Sequence, residues 1–172
     1  MRNPANINAV SPKVDYFYDL PGTVPGTLNV SSKKMTSKLL LIDYSEKTAM
    51  QIPLNTIEDC APHLDSESIS WLDVQGLGNV SILEQMGDVF HLHPLILEDI
   101  VNVPQRPKIE NYDGQLVIIT HMVTWIPASE SFISEQVSFV LGKHYVLTVQ
   151  EEPEYDCFDP IRVRIQQGKG II

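Results

Sequence analysis

The stretch that decides the fold is residues 68–92, SISWLDVQGLGNVSILEQMGDVFHL. Its first part, Ser68 to Val74, has the pattern of a buried strand and runs into a turn at Gly76 and Gly78. From Asn79 to Leu92 the apolar residues recur every three or four positions, which predicts an amphipathic helix. A strand that leads directly into a helix indicates a layered fold with both element types.

A second helix is predicted immediately after the first. Pro94 suits a first helical position, and His93 before it can act as a cap. His91 and His93 are two positions apart and would point in different directions on a helix, which argues against a shared metal ion. We therefore interpret His91 as a helix-end residue. Pro104 and Pro107 end the helical segment.

The remaining elements follow from runs of β-branched and aromatic residues separated by turn residues. Strands are predicted at residues 27–30, 38–44, 48–54, 116–125, 135–141 and 145–149, the last three as an antiparallel meander. A short helix at 56–64 should be cut by Pro62. A final helix opens at Asp159 and Pro160, with Ile161 and Ile165 packed and Arg162 in solvent. This order predicts an α/β domain with a mixed parallel and antiparallel sheet.

Length and charge exclude several classes of protein. The chain has 172 residues, which fits one domain, and its 12 basic and 22 acidic residues give a net charge of -10. That sign is wrong for nucleic acid or an anionic membrane surface, whereas cationic partners suit it. The longest apolar runs have four residues, far below the roughly 20 that a membrane-spanning helix needs. Residues 1–25 contain four prolines and no apolar period, so we predict a flexible amino-terminal tail.

No pattern typical of an enzyme occurs in the chain. There is no G-x-S-x-G nucleophile motif and no glycine-rich phosphate loop. Cys60 and Cys157 are far apart and form no C-x-x-C pair, so both are interpreted as reduced core residues. The prediction is that the protein is not an enzyme.

Glu98 and Asp99 are the candidate metal ligands. Mg²⁺ prefers oxygen ligands, keeps several waters and is commonly held by only one or two carboxylates. A simpler interpretation is that both acids favour the positive end of the helix dipole, which would by itself account for their position. From the residues alone the second interpretation is favoured.

Two other charged segments allow both a functional and a structural interpretation. Arg106, Lys108 and Glu110 could bind an anion, but we favour a solvated extended segment in which Lys108 and Glu110 share one side of a strand. Residues 151–159 contain several acids that could collect cations, although such loops are usually just solvated.

The run His93 to Asn102, HPLILEDIVN, followed by Gln105 to Glu110, QRPKIE, resembles the signature of the amino-terminal domain of the CorA family of magnesium and cobalt transporters. Further stretches resemble the same family in the same order: residues 25–28, 71–76, 134–141, 149–151 and 158–165. The resemblance covers about residues 25–172. Six such pieces in sequence make a chance match improbable.

The resemblance implies an α/β/α sandwich, with residues 26–172 forming a cytoplasmic regulatory domain. Members of the family are implied to be pentamers in which divalent ions bridge acidic groups of identical subunits and hold the pore closed. Asp99 maps to that bridge, with Glu98 as a nearby contributor, and the opposing carboxylate comes from a stalk helix. The stalk and the two membrane helices are missing from this chain, which is therefore expected to be a fragment of a longer transporter.

The implied function is that of a cation-sensing domain that gates ion flux, with Mg²⁺ as a regulatory ion bound weakly by the isolated domain and Co²⁺ as a second candidate. The full-length protein would lie at the cytoplasmic face of the inner membrane, and the fragment itself would be soluble. The alternative is a freestanding regulatory or protein-interaction domain of the same fold without a pore. The sequence leaves the physiological ion open.

Overall fold

A computed structural model describes residues 22–28, 37–64, 66–77, 80–152, 154 and 156–168. Within them the strands are β1 (Lys38–Tyr44), β2 (Ala49–Leu54), β3 (Ile69–Gln75), β4 (Lys108–Tyr112), β5 (Gln115–Ile126), β6 (Ser131–Leu141) and β7 (Tyr145–Gln150). The helices are α1 (Ala61–Leu64), α2 (Val80–Phe90), α3 (Pro94–Val101) and α4 (Asp159–Gln166), with short 3-10 turns at Glu58–Cys60 and Pro127–Ser129. The predicted tail up to residue 21 and residues 29–30 of the first predicted strand lie outside the described residues.

All seven strands form one sheet in the order β2-β1-β3-β7-β6-β5-β4. β3 and β7 pair in parallel at the centre of the sheet, and the other neighbouring pairs are antiparallel. The chain from β4 to β7 is an uninterrupted antiparallel meander, which confirms that prediction. The predicted mixed sheet is also confirmed.

Two hydrophobic clusters lie on the two sides of the sheet because successive strand residues point to opposite faces. Leu41 and Leu72 pack against the buried faces of α2 and α3, which contribute Leu83, Met86, Phe90, Ile96 and Ile100. Ile42 and Trp71, their neighbours along the strands, pack on the other side with Phe158 and Ile165 around α4. The sheet therefore lies between helical layers, which confirms the α/β/α sandwich.

The helix predicted at 56–64 is present but is not cut by Pro62. The segment continues from the 3-10 turn Glu58–Cys60 into α1, and Pro62 is the second residue of that helix. A proline in the first turn of a helix removes an N–H that has no partner within the helix, so it does little harm there. The expected interruption was wrong for this reason.

The orientation predicted for α4 was also wrong. Arg162 was expected in solvent and is 4% exposed, whereas Ile161 was expected to pack and is 47% exposed. The reason lies on β3, where Asp73 is completely buried and needs a positive partner. The helix turns Arg162 toward the sheet, where its guanidinium forms an ion pair with Asp73.

Candidate metal site

α3 carries both predicted metal ligands, and its start is fixed by local chemistry. The Nδ1 atom of His93 accepts a hydrogen bond from the backbone N–H of Leu95 at 3.2 Å, and Pro94 is the first helical residue. The ring of His93 also stacks on Tyr112, with 5.7 Å between the ring centroids. These contacts confirm His93 as the cap, and α2 ends at Phe90, directly before His91.

The far end of α3 is held by a residue that the sequence analysis did not single out. Gln136 on β6 donates hydrogen bonds from its amide to the carbonyls of Asp99 and Ile100, both at 3.2 Å. Its own side-chain oxygen accepts the N–H of Gln105 at 2.7 Å. Gln136 thereby binds the unpaired carbonyls that a helix leaves at its end and fixes the backbone of Asp99.

Glu98 and Asp99 are the fifth and sixth of the eight residues of α3, and its first turn contains no acid. The positive end of a helix dipole acts within the first turn. The interpretation that both acids merely favour that end is therefore wrong for this helix, and their position needs another explanation.

Glu98 binds a part of the chain that lies 72 positions away. Its Oε2 atom accepts the backbone N–H of Gly26 at 2.5 Å. Gly26 has φ +86°, and a Cβ added to it would lie 3.1 Å from the Cβ of Pro94, so glycine suits this close approach to α3. Glu98 thus fixes residues 22–28 against the helix.

Asp99 has a different partner. Its Oδ2 atom accepts a hydrogen bond from Lys108 Nζ at 2.6 Å, and the same Nζ lies 3.0 Å from Glu110 Oε2. Burial lowers the pKa of Lys108, but its hydrogen bonds to Asp99 and Glu110 and their charges outweigh burial, so the pKa is raised overall. Lys108 is therefore a charged ammonium between two carboxylates.

The structure thus brings Asp99 together with Glu110, while Glu98 is engaged by Gly26. Lys108 and Glu110 do share one side of a strand, as predicted, but that side faces Asp99 and is not simply solvated. In the described part of the chain, no group of three or more His, Cys, Asp or Glu side chains is arranged to hold a metal ion. The carboxylates of Asp99 and Glu110 fit the hard-oxygen chemistry of Mg²⁺ and could supply part of its coordination shell.

The acidic residues after β7 bind groups within the protein. Asp156 and Asp159 bond the guanidinium of Arg162, the latter at 2.9 Å, and Glu151 accepts the N–H of Gln136 at 3.2 Å. The interpretation of this loop as simply solvated was therefore wrong. The signal that could have found the cluster is Asp73, a single acid within a buried strand, because an ionised carboxylate in such a place requires a nearby cation.

The two cysteines lie where the sequence analysis expected them to lie. Cys60 is completely buried in the cluster beneath α2, and Cys157 is partly buried beside Phe158. Both are free thiols. Burial raises the pKa of Cys60 to about 11, so its thiolate is scarce at neutral pH and a nucleophilic role is not supported.

Comparisons with known proteins agree on one family. The sequence profile described as "CorA-like Mg2+ transporter protein" matches residues 66–171. The cobalt/magnesium transport protein CorA of Thermotoga maritima is 36% identical over 152 residues, which are 88% of this chain and 43% of that protein. The chain therefore spans less than half the length of this curated relative.

Solved structures share the fold at low sequence identity. The full-length CmaX protein superposes with a TM-score of 0.63 at 15% identity, covering 81% of this chain and 42% of that one. The complete CorA magnesium transporter of Methanocaldococcus jannaschii superposes with a TM-score of 0.54 at 10% identity, covering 78% of this chain and 39% of that one. At these identities the likeness supports the fold alone.

Proposed function

The chain belongs to the CorA family of Mg²⁺ transporters, and from that premise we propose that it is a divalent-cation-sensing domain that regulates ion flux. The ions are Mg²⁺ and, as in the name of the Thermotoga maritima relative, cobalt. Asp99 is the principal ligand, and Glu98 contributes beside it. The proposal includes no enzymatic activity, in keeping with relatives that are named as transport proteins.

The observation that carries the proposal is the position of the Asp99 carboxylate. The Asp99 side chain is 16% exposed, and its ion-pair partner among the described residues is Lys108. Ile96, Leu97 and Ile100 of the same helix are buried in the core. A helix held in the core thus carries a partly exposed carboxylate, which can exchange one cation for another without unpacking the core.

Two carboxylates cannot complete the octahedral coordination shell of Mg²⁺. We therefore propose that the remaining ligands are water and groups of an identical subunit. A bound dication supplies positive charge that offsets the repulsion between acidic surfaces of neighbouring subunits. Ion binding at Asp99 then favours the closed arrangement to the extent that the site binds the ion more tightly in the closed than in the open arrangement. When the ion is scarce, the repulsion between subunits favours opening.

The longer protein is proposed to be a homopentamer anchored in the inner membrane, with this domain at the cytoplasmic face. The relatives' greater length leaves room for the membrane-spanning part outside the matched region. In the part of the chain that the structure describes, no helix is long and apolar enough to cross a bilayer.

The test in this chain is site-resolved ion binding. Titration with MgCl₂, and with CoCl₂ as a paramagnetic probe, should show binding no tighter than about millimolar, as expected of a sparsely liganded site. Co²⁺ should broaden the amide signals near Asp99 first. Asp99→Asn should weaken binding several-fold, whereas Asp113→Asn, which removes an exposed acid in the β4–β5 turn, should not.

The test in the full-length protein is flux against internal Mg²⁺. Asp99→Asn should shift inhibition to higher internal Mg²⁺, because each subunit interface loses a negative ligand. Coinciding inhibition curves for the wild type and Asp99→Asn would contradict the regulatory role of Asp99. In that case the family assignment would stand and the site would have to be sought elsewhere.

A further inference from the structure

Lys108 occupies the space between two carboxylates on the same side of the molecule as the proposed ligand. It is the first residue of β4, the edge strand, so Lys108, Glu110 and Tyr112 alternate onto one face of the sheet. Asp99 faces them from α3. The Lys108 side chain is 28% exposed, and that of Glu110 is 40% exposed, so water and ions can reach the group.

The position of Glu110 is fixed by neighbours on its own strand and on the adjacent strand β5. The hydroxyl of Tyr112 donates to Glu110 Oε2 at 3.4 Å, and the ring of Tyr112 is stacked on His93. The backbone of Glu110 is paired with Val117 in the β4–β5 ladder. The Lys108 ammonium therefore bridges two anchored carboxylates, one on a helix and one on a strand.

We propose that Lys108 is a tethered cation that competes with divalent ions for Asp99, with Glu110 as the second carboxylate of the same site. The inference rests on the proposed function, since it takes Asp99 to be a ligand. It adds a new element, an internal competitor that raises the ion concentration at which the site fills.

The competition follows from the lone pairs of the carboxylates. An ammonium hydrogen-bonded at 2.6 Å to Asp99 Oδ2 occupies an oxygen that Mg²⁺ would approach to about 2.0–2.1 Å. A dication that binds this carboxylate must either share it with the Lys108 ammonium or displace it, and in both cases the positive charge of Lys108 opposes binding. Once Lys108 has left, Asp99 and Glu110 supply two carboxylates, as many as Mg²⁺ commonly takes from a protein.

The increase in ion affinity expected from replacing Lys108 has an upper limit. Partly exposed ion pairs are worth at most about 1 kcal/mol, which corresponds to about a fivefold change in affinity. Lys108→Gln should therefore bind Mg²⁺ and Co²⁺ about fivefold more tightly than the wild type. Lys108→Arg, which keeps the charge, should not show this gain.

The experiment measures Mg²⁺ and Co²⁺ affinity by calorimetry and Co²⁺ line broadening in this chain. Lys47→Gln, in the exposed β1–β2 turn, is the matched control for losing one positive charge. Tighter binding by Lys108→Gln but not by Lys47→Gln supports the competition. Adding Glu110→Gln to Lys108→Gln should reverse the gain if Glu110 is the second ligand. Thermal melting of each variant verifies that it is folded.

The outcomes separate this inference from the proposed function. If Asp99→Asn weakens binding but Lys108→Gln leaves it unchanged, the competition is refuted and the Asp99 site stands. If Asp99→Asn leaves both affinity and line broadening unchanged, the proposed site fails and the competition fails with it. A gain shared equally by Lys108→Gln and Lys47→Gln would show that only the net charge matters, which also overturns the inference.

Discussion

Asp73 and Arg162 show how one buried residue can determine the position of another. Asp73 accepts hydrogen bonds from Thr148 at 2.7 Å and Gln75 at 3.0 Å in addition to its ion pair with Arg162. Burial lowers the pKa of Arg162, and the charge of Asp73 partly offsets this effect. A buried pair contributes little net stability, but loss of one partner typically costs about 3–5 kcal/mol. The pair therefore orients α4 on the sheet.

Glu135 is another buried acid, and within the described part of the chain no basic side chain forms an ion pair with it. It is 4% exposed and accepts the N–H of Glu152 at 2.7 Å. Burial raises the pKa of Glu135 to about 7, the N–H of Glu152 opposes this shift, and the charges of Glu151 and Glu152 add to it. Glu135 is therefore a group whose charge changes near neutral pH.

The pKa of Glu135 predicts how stability depends on pH. Between its ordinary pKa of 4.5 and about 7, the folded protein retains a proton that the unfolded chain has released. The free energy of unfolding should therefore fall as pH rises through this range, by up to about 3 kcal/mol, and level off above it. Glu135→Gln should remove this contribution, since it imitates the protonated acid and keeps the acceptor for Glu152.

Urea unfolding from pH 5 to pH 8 checks this prediction. The difference in stability between Glu135→Gln and the wild type should grow with pH. Glu130→Gln, at an exposed position in the β5–β6 connection, should follow the wild type. Parallel profiles for Glu135→Gln and the wild type would show that Glu135 does not titrate in this range.

At the scale of elements, α2 and α3 are separated by a tight helix end. His91 has φ +53°, a left-handed conformation, and the N–H of Leu92 returns to the carbonyl of Gly87 at 3.0 Å. This is the hydrogen bond of a Schellman ending, where glycine is the usual residue. The turn leaves only three residues between the end of α2 and the start of α3.

Because His91 has a left-handed backbone conformation, we predict that glycine is more stabilising than alanine at this position. This is the reverse of their order within a helix. His91→Gly should be more stable than His91→Ala by about 1 kcal/mol, because a Cβ is disfavoured at this φ. Glu84 is an exposed position in the middle of α2. There Glu84→Ala should be more stable than Glu84→Gly, by a similar amount. Thermal or urea unfolding of the four variants measures both differences. An alanine preference at both positions would contradict the helix ending described here.

The β5–β6 hairpin is the longest element, and its outer part has no neighbouring strand among the described residues. β4 pairs only with residues 115–119, and β7 pairs only with residues 137–141. Glu135 and Gln136 lie where β6 separates from β7, and there they bind the chain after β7 and the end of α3. The separation of β6 from β7 thus leaves Gln136 free of that ladder, and its side chain can fix the backbone of Asp99.

At the scale of the whole molecule, the sheet carries a hydrophobic core on each of its two faces. One core lies under α2 and α3 and includes completely buried Leu41, Leu72 and Met86. The other lies under α4 and includes Trp71 and Phe158, whose rings meet edge to face at 5.6 Å. Apolar burial on both faces is the main favourable term in folding.

We therefore expect the melting temperature to be the same in EDTA and in untreated buffer. Added MgCl₂ at concentrations near the weak dissociation constant should raise it by only a degree or two, since a ligand at free concentration L stabilises the folded state by RT ln(1 + L/Kd), about 0.4 kcal/mol when L equals Kd. Differential scanning calorimetry measures both effects. A loss of tens of degrees in EDTA would reveal a structural metal ion.

The sequence by itself determined the elements whose causes are local. The bounds of β1, the start of α3 at Pro94, the cap at His93 and the meander of β5 to β7 all follow from residues within a few positions of one another. Apolar period, caps and turn residues act over such distances. The family resemblance also lies in continuous runs, and it identified Asp99 as the candidate ligand.

Only the tertiary structure decided which partners the charged residues take. Lys108 binds Asp99 nine positions away, Gly26 binds Glu98 across 72, and Arg162 binds Asp73 across 89. The residues next to a charged side chain in the sequence do not show whether it is solvated or forms an ion pair. Its partner is determined when the strands and helices pack together. The chemistry of the candidate site therefore had to be found in the folded molecule.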